Sequence, residues 1–172
     1  MLTLILGGAR SGKSALAERL ANESGLDVVY IATAQALDGE MASRIAHHRA
    51  RRPSSWSLVE EPLALAATLR ECARGDRLVL VDCLTLWLSN LLGAAPSRFD
   101  IERAALLDAV SDLPGDIVFV SNEVGLGITP MGELTRRFVD EAGRLHQALA
   151  QRCDRAIFVA AGLPLTLKGT PP

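Results

Sequence analysis

Short, continuously apolar runs alternate with longer stretches of helical character along this chain, and that alternation leaves few folds open. Leu2–Leu6, Val28–Ala32, Arg77–Val81, Ile117–Val120 and Ala156–Ala160 read as strands. Lys13–Ser24, Glu40–Ala50, Pro62–Ala73, Leu84–Leu92, Ile101–Ser111 and Glu133–Gln151 read as helices. Gly25 supplies a stop signal for the first helix, and Pro62 sits at a favoured early helical position. Trp56–Val59 is expected as a short edge strand and Gly93–Ser97 as a loop. The tail, ending in Gly169-Thr-Pro-Pro, is expected to fray. Strands that are apolar at every position are buried on both faces, which requires a parallel sheet covered by helices on each side. The expectation is an α/β chain forming one domain over residues 1–172, in three layers with a mostly parallel central sheet. There is no internal repeat, low-complexity segment or interdomain linker. Ligands of such sheets sit at the carboxyl ends of the strands.

One segment at such an end carries chemistry. Gly7-Gly8-Ala9-Arg10-Ser11-Gly12-Lys13-Ser14 fits GxxxxGK[ST], the phosphate-binding loop of P-loop nucleoside triphosphatases, between a strand and a helix. Its glycines let backbone N–H groups curl around an anion, and the helix that follows points its positive end there. Lys13 is placed to reach the β and γ phosphates of ATP or GTP, and the Ser14 hydroxyl to ligate Mg²⁺. Such a site needs a carboxylate near the metal. Asp82 directly follows the apolar run Leu78–Val81 and, given the phosphate loop, is read as metal-linked; the plainer alternative is a strand-terminal Asp capping the next helix. Glu123, after Ile117–Val120, is a second strand-end acid, read equally well as a loop acid.

The segment from Arg44 to Arg52 packs four arginines and His47 and His48 into nine residues. On a helix, Arg44, one of the histidines and Arg51 share a face. Arginine forks suit phosphate oxygens, and a neutral imidazole can attack phosphorus. The plainer reading is a solvated basic helix end that complements the helix dipole. Periodicity does not choose between the two histidines.

Composition narrows the partners. Net charge is −2 and aromatic residues make up 4%, so neither a nucleic-acid footprint nor a base-stacking platform is indicated. Cys72, Cys83 and Cys153 are widely spaced and form no CxxC pair, which reads as thiols in a reducing compartment rather than a disulfide framework or zinc site. No stretch reaches the ~18 apolar residues of a membrane span. Leu2–Leu6 is too short for a signal core and has no basic leader, so a cytoplasmic location is expected.

Taken together, the motifs resemble the bifunctional adenosylcobinamide kinase/adenosylcobinamide-phosphate guanylyltransferase family of cobalamin biosynthesis. GGARSGKS at Gly7–Ser14, YIATAQ at Tyr30–Gln35 and DGEMASRIAHHRARRP from Asp38 to Pro53 carry the likeness. So do Trp56, VEEP at Val59–Pro62, VDCLTLWLSNLL at Val81–Leu92 and SNEVGLGITP at Ser121–Pro130. RFVDEAGRLHQALA at Arg137–Ala150 and AGLPLTLK at Ala161–Lys168 complete it. The resemblance implies a RecA-like P-loop fold, a corrinoid substrate and a homo-oligomer, with a trimer as the expected assembly. It implies phosphorylation of adenosylcobinamide, then transfer of GMP from GTP through His47, the first histidine of the pair. It implies nucleotide contacts from the P-loop, Ala32, Thr33, Ala34, His48, Arg49, Ala50, Arg51, Glu60 and Asp82. Thr129, Val139 and His146 depart from the family pattern, where valine, arginine and asparagine are expected.

Two other activities compete. A monofunctional small-molecule kinase would use the same loop and leave His47 idle. A GTP-dependent switch would need a base-reading NKxD segment, which is absent. Its DxxG match, Asp140–Gly143, falls inside an expected helix rather than after a strand.

Overall fold

A computed structural model describes residues 1–35 and 53–172. In chain order the elements are β1 (Leu2–Gly7), α1 (Lys13–Glu23), β2 (Asp27–Ala32), β3 (Ser57–Glu60), α2 (Leu65–Cys72) and β4 (Arg77–Asp82). Then follow α3 (Leu84–Gly93), α4 (Pro96–Ala109), β5 (Asp116–Asn122), α5 (Glu133–Arg152), β6 (Arg155–Ala160) and β7 (Leu163–Lys168). The helix expected at Glu40–Ala50 lies outside the described residues.

The strands form one seven-stranded sheet in the order β3-β2-β4-β5-β1-β6-β7. Every neighbouring pair runs parallel except β6–β7. The continuous apolar runs follow from burial on both faces. On one face Leu4, Leu6, Val79, Val81, Ile117 and Phe119 pack against α2–α5, with Trp87 fully buried among them. On the other, Ile5, Leu78, Leu80, Val118, Val120 and Ile157 pack against Leu16, Ala17 and Ala21 of α1. Successive strand residues alternate between these layers. Cys83 and Cys153 are buried and Cys72 half-buried; all three are free thiols.

Three segments differ from the sequence reading. Helix α2 starts at Leu65 rather than Pro62, so Pro62 lies in the turn before the helix, where Glu61 Oε1 accepts from the N–H groups of Leu63 and Ala64. Helix α4 starts at Pro96 rather than Ile101. Pro96 sits in the first turn, where its missing N–H costs nothing, and Phe99 is buried beneath the guanidinium groups of Arg103 and Arg137, each 5.5 Å from its ring. The tail is also ordered: β7 pairs antiparallel with β6 through a turn at Ala161 and Gly162, with φ of 52° and 79°. Asp140–Gly143 lies within α5.

Candidate nucleotide site

The phosphate loop leaves β1 at the carboxyl edge of the sheet and enters α1 at Lys13. Gly12 adopts φ 98°, a left-handed conformation that glycine takes without steric cost. A Cβ there would stand 3.1 Å from the Cα of Gly162, so the loop rests against the β6–β7 turn. The Gly162 N–H donates to the Ser11 carbonyl at 2.8 Å and the Ser11 N–H to Gly8 at 3.2 Å. The N-cap, Gly12, has no side chain to cap α1, which leaves the positive end of the helix for an anion. The Lys13 ammonium donates to the Gly8 carbonyl at 3.3 Å, a long contact that leaves two of its three hydrogens for phosphate oxygens.

Other residues expected to contact the nucleotide, within the described chain, lie along the same edge. Ala32 pairs in register with Glu60 on one side and Asp82 on the other. Alternation along β4 from Leu78 and Leu80, which pack under α1, turns Asp82 to the α1 face, where Lys13 and Ser14 lie. Ala32 packs on that face too. Glu60 stands exposed at the end of β3. Asp82 Oδ2 is buried without a hydrogen-bond partner among the described residues, which suits an acid that takes a cation or its water. Ser14 and Asp82 thus fit the hard oxygen donors that Mg²⁺ takes from a protein. His47, His48, Arg49, Ala50 and Arg51 lie outside the described residues, as does Arg44.

Thr33 has a scaffolding part as well. It is fully buried, its Oγ1 donates to the Cys83 carbonyl at 2.7 Å, and it accepts from the Cys83 N–H at 3.0 Å. Asn90 of α3 donates to the carbonyls of Thr33 at 2.8 Å and Pro62 at 3.1 Å. Its own N–H donates to the Asp82 carbonyl at 3.4 Å, so side chain and backbone alike are committed to holding the strand ends together. Cys83 is locked in place here; burial first, and the Asp82 carboxylate next, push its thiol up to about 11, so it stays protonated and inert.

Glu123 is tied down locally. Its N–H donates to the Gly7 carbonyl at 3.0 Å, and its Oε1 accepts from the Gly125 N–H at 2.6 Å. Its Oε2 lies 3.6 Å from Nδ1 of the buried His146, whose Nε2 is 2.8 Å from Ser121 Oγ. Burial pushes the His146 pKa down, and the Glu123 carboxylate opposes that shift. The sequence reading passed over Asn122, Thr85 and Asn90. Counting by twos from Val118 and Val120 would have exposed Asn122; the other two reveal themselves only through tertiary contacts.

The sheet order adds a class-level feature: β5 stands between the phosphate-loop strand β1 and the Asp82 strand β4. A type III secretion system ATPase of pathogenic bacteria superposes with TM-score 0.57 at 14% identity, covering 96% of this chain and 57% of that one. Fold and loop together are those of the P-loop NTPase class of the RecA-like kind, a likeness of fold. Within that class the chain belongs to the cobinamide kinase/cobinamide phosphate guanyltransferase family, whose model matches residues 3–167. It is 67% identical over 172 residues to the bifunctional adenosylcobalamin biosynthesis protein CobP of Pseudomonas aeruginosa, covering 99% of each chain. It is 38% identical to the bifunctional adenosylcobalamin biosynthesis protein CobU of Escherichia coli, covering 98% of this chain and 100% of that one. It is thus a bifunctional kinase and guanylyltransferase of cobalamin biosynthesis.

Proposed function

We propose that one P-loop site serves both reactions. What supports this is that the Gly7–Ser14 loop and Asp82 both lie at the carboxyl edge of the sheet, on strands separated only by β5. In the first reaction the aminopropanol hydroxyl of adenosylcobinamide attacks the γ phosphorus of ATP or GTP. A new P–O bond forms, the β–γ bond breaks, and a nucleoside diphosphate leaves as the hydroxyl proton is lost. Lys13 and the loop amides stabilise the charge on the transferring group. Mg²⁺, held by Ser14 and Asp82, would neutralise phosphate charge there.

In the second reaction an imidazole nitrogen of His47 attacks the α phosphorus of GTP and pyrophosphate leaves into the same loop. The phosphate of adenosylcobinamide phosphate then displaces His47, giving adenosylcobinamide-GDP and the free imidazole. Splitting the transfer this way replaces one hard displacement with two easier ones. Ala32, Thr33, Ala34, Glu60 and the segment His48–Arg51 complete the nucleotide contacts in this reading. A trimeric homo-oligomer belongs to it too, and light scattering measures that.

Product analysis tests the pairing of activities. With ATP and adenosylcobinamide, the phosphate ester is expected. Added GTP should then yield adenosylcobinamide-GDP and one equivalent of pyrophosphate. Phosphate ester without pyrophosphate would leave a kinase alone.

A further inference from the structure

At the amino edge of the sheet, away from the phosphate loop, a pocket opens beneath the far end of α1. Thr3 of β1 pairs in register with Arg155 of β6 on one side and with Val118 of β5 on the other. Ile5 and Ile157, two residues further on, pack under α1, so alternation turns Thr3 and Arg155 to that same face. Leu20, Glu23 and Ser24 from the end of α1 line the pocket from above, and Leu78, Asp116 and Val118 line it from the sheet beside Thr3 and Arg155. About 220 Å³ is open there, the share of roughly seven waters in the liquid. Helix α1 begins at the phosphate loop with Lys13 and ends at Glu23, so a helix length of about 16 Å separates this pocket from the nucleotide.

Two polar side chains in the pocket are unmatched. Thr3 Oγ1 and Arg155 Nε are buried without a hydrogen-bond partner among the described residues, and Arg155 as a whole is only 8% exposed. A buried hydroxyl or guanidinium left unpaired is costly, and native folds supply partners for both. The neighbouring groups are already engaged. Asp116 Oδ1 accepts from the Met1 ammonium at 2.8 Å, and Ser24 Oγ donates to the Ala21 carbonyl at 2.7 Å. Thr3 and Arg155 stand on adjacent strands, ~4.8 Å apart, a spacing that lets one carboxylate reach both donors. The guanidinium fork matches that group in shape and charge. At the mouth the sign reverses: Glu23 is exposed at the last residue of α1, and the carboxyl end of the helix adds partial negative charge. Leu20, Leu78 and Val118 supply apolar surface between the two poles.

We propose that this pocket is a second ligand site, one for a small zwitterion of the amino-acid class. Its carboxylate accepts from Arg155 Nε and Thr3 Oγ1, its ammonium faces Glu23, and a short apolar side chain rests on Leu20, Leu78 and Val118. None of these residues belongs to the phosphate loop or to the strand ends beside it, so the site stands independently of how the nucleotide is used.

NMR of the full-length protein carrying heavy-nitrogen arginine tests this, because the Arg155 Nε–H reports directly on its acceptor. L-valine is the probe, beside isovalerate, which lacks the ammonium, and isobutylamine, which lacks the carboxylate. Arg155→Lys assigns the resonance by its loss. L-valine should shift the Arg155 Nε–H saturably, and isobutylamine should not. Isovalerate should bind roughly threefold more weakly than L-valine, the scale of one exposed ion pair. Glu23→Gln should weaken L-valine by the same factor and leave isovalerate unchanged. Should Arg155→Lys fail to fold, the saturable shift and its response to Glu23→Gln decide alone. No saturable shift with L-valine, or the same shift from sodium chloride at matched ionic strength, would overturn the site. Equal affinities for L-valine and isovalerate would overturn the ammonium contact and, with it, the amino-acid class.

Discussion

Burying an imidazole beside a carboxylate sets two effects against each other. At His146 burial dominates and lowers the pKa, while Glu123 opposes it. The folded ring is then neutral near pH 7, with Nε2 sharing a hydrogen bond with the Ser121 hydroxyl and Nδ1 lying 3.6 Å from Glu123 Oε2. The unfolded chain carries an ordinary histidine, so below about pH 6.5 it binds a proton that the folded state resists. Stability from this group is present above that pH and drains away on acidification, by up to about 1.4 kcal/mol per pH unit. Wild type should therefore lose more thermal stability between pH 7.5 and 5.5 than His146→Asn. Parallel losses in the two proteins would show that His146 does not set the slope. His146 entered as a departure from the family pattern, and sequence alone gave it no partner. Ser121 lies on a distant strand and Glu123 just beyond it, so the cluster exists only once α5 packs on the sheet.

At the scale of elements, the strand entrances are as constrained as the strand ends. Gly115 precedes β5 at φ 79°, and a Cβ there would fall 2.0 Å from the Arg74 carbonyl oxygen and 2.7 Å from that of Arg77. Gly115→Ala combines left-handed strain with a backbone clash, so it should cost more than about 2 kcal/mol in denaturant unfolding. This turn is at the amino edge of the sheet, opposite the phosphate loop. The folded fraction of the variant should therefore keep its nucleotide affinity; a matching loss of affinity would tie this turn to the site. The strands were legible because burial on both faces leaves an unbroken apolar signature. The start of α4 was not, because Pro96-Ser-Arg98 has the composition of a loop, and only the burial of Phe99 under two arginines recruits it. Strand β7 was missed for the opposite reason. Leu163, Leu165 and Leu167 are all exposed, so it leaves no core signature, although alternation after the Ala161-Gly162 pair is a hairpin signal.

At the scale of the whole molecule, the order of strands decides the chemistry. The phosphate loop is a local motif, and Asp82 announces itself as the acid ending a core strand. What no local pattern encodes is that β5, distant in sequence from both, inserts between β4 and β1 and brings Asn122 to the loop. Pairings of that kind are set by long-range packing. The segment bearing His47 is legible in the opposite sense: its residue types suggest phosphorus chemistry, and the family resemblance selects the first histidine.

The central claim is that one loop feeds both a phosphoryl transfer and a guanylyl transfer through His47. The most direct measurement incubates the protein with Mg²⁺ and GTP labelled at the α phosphorus, then looks for label on the denatured chain. Wild type and His48→Ala should carry acid-labile, base-stable label, as a phosphoramidate does, and His47→Ala should carry none. A folded, GTP-binding wild type that takes up no label, or a His47→Ala protein that still does, would contradict the covalent step.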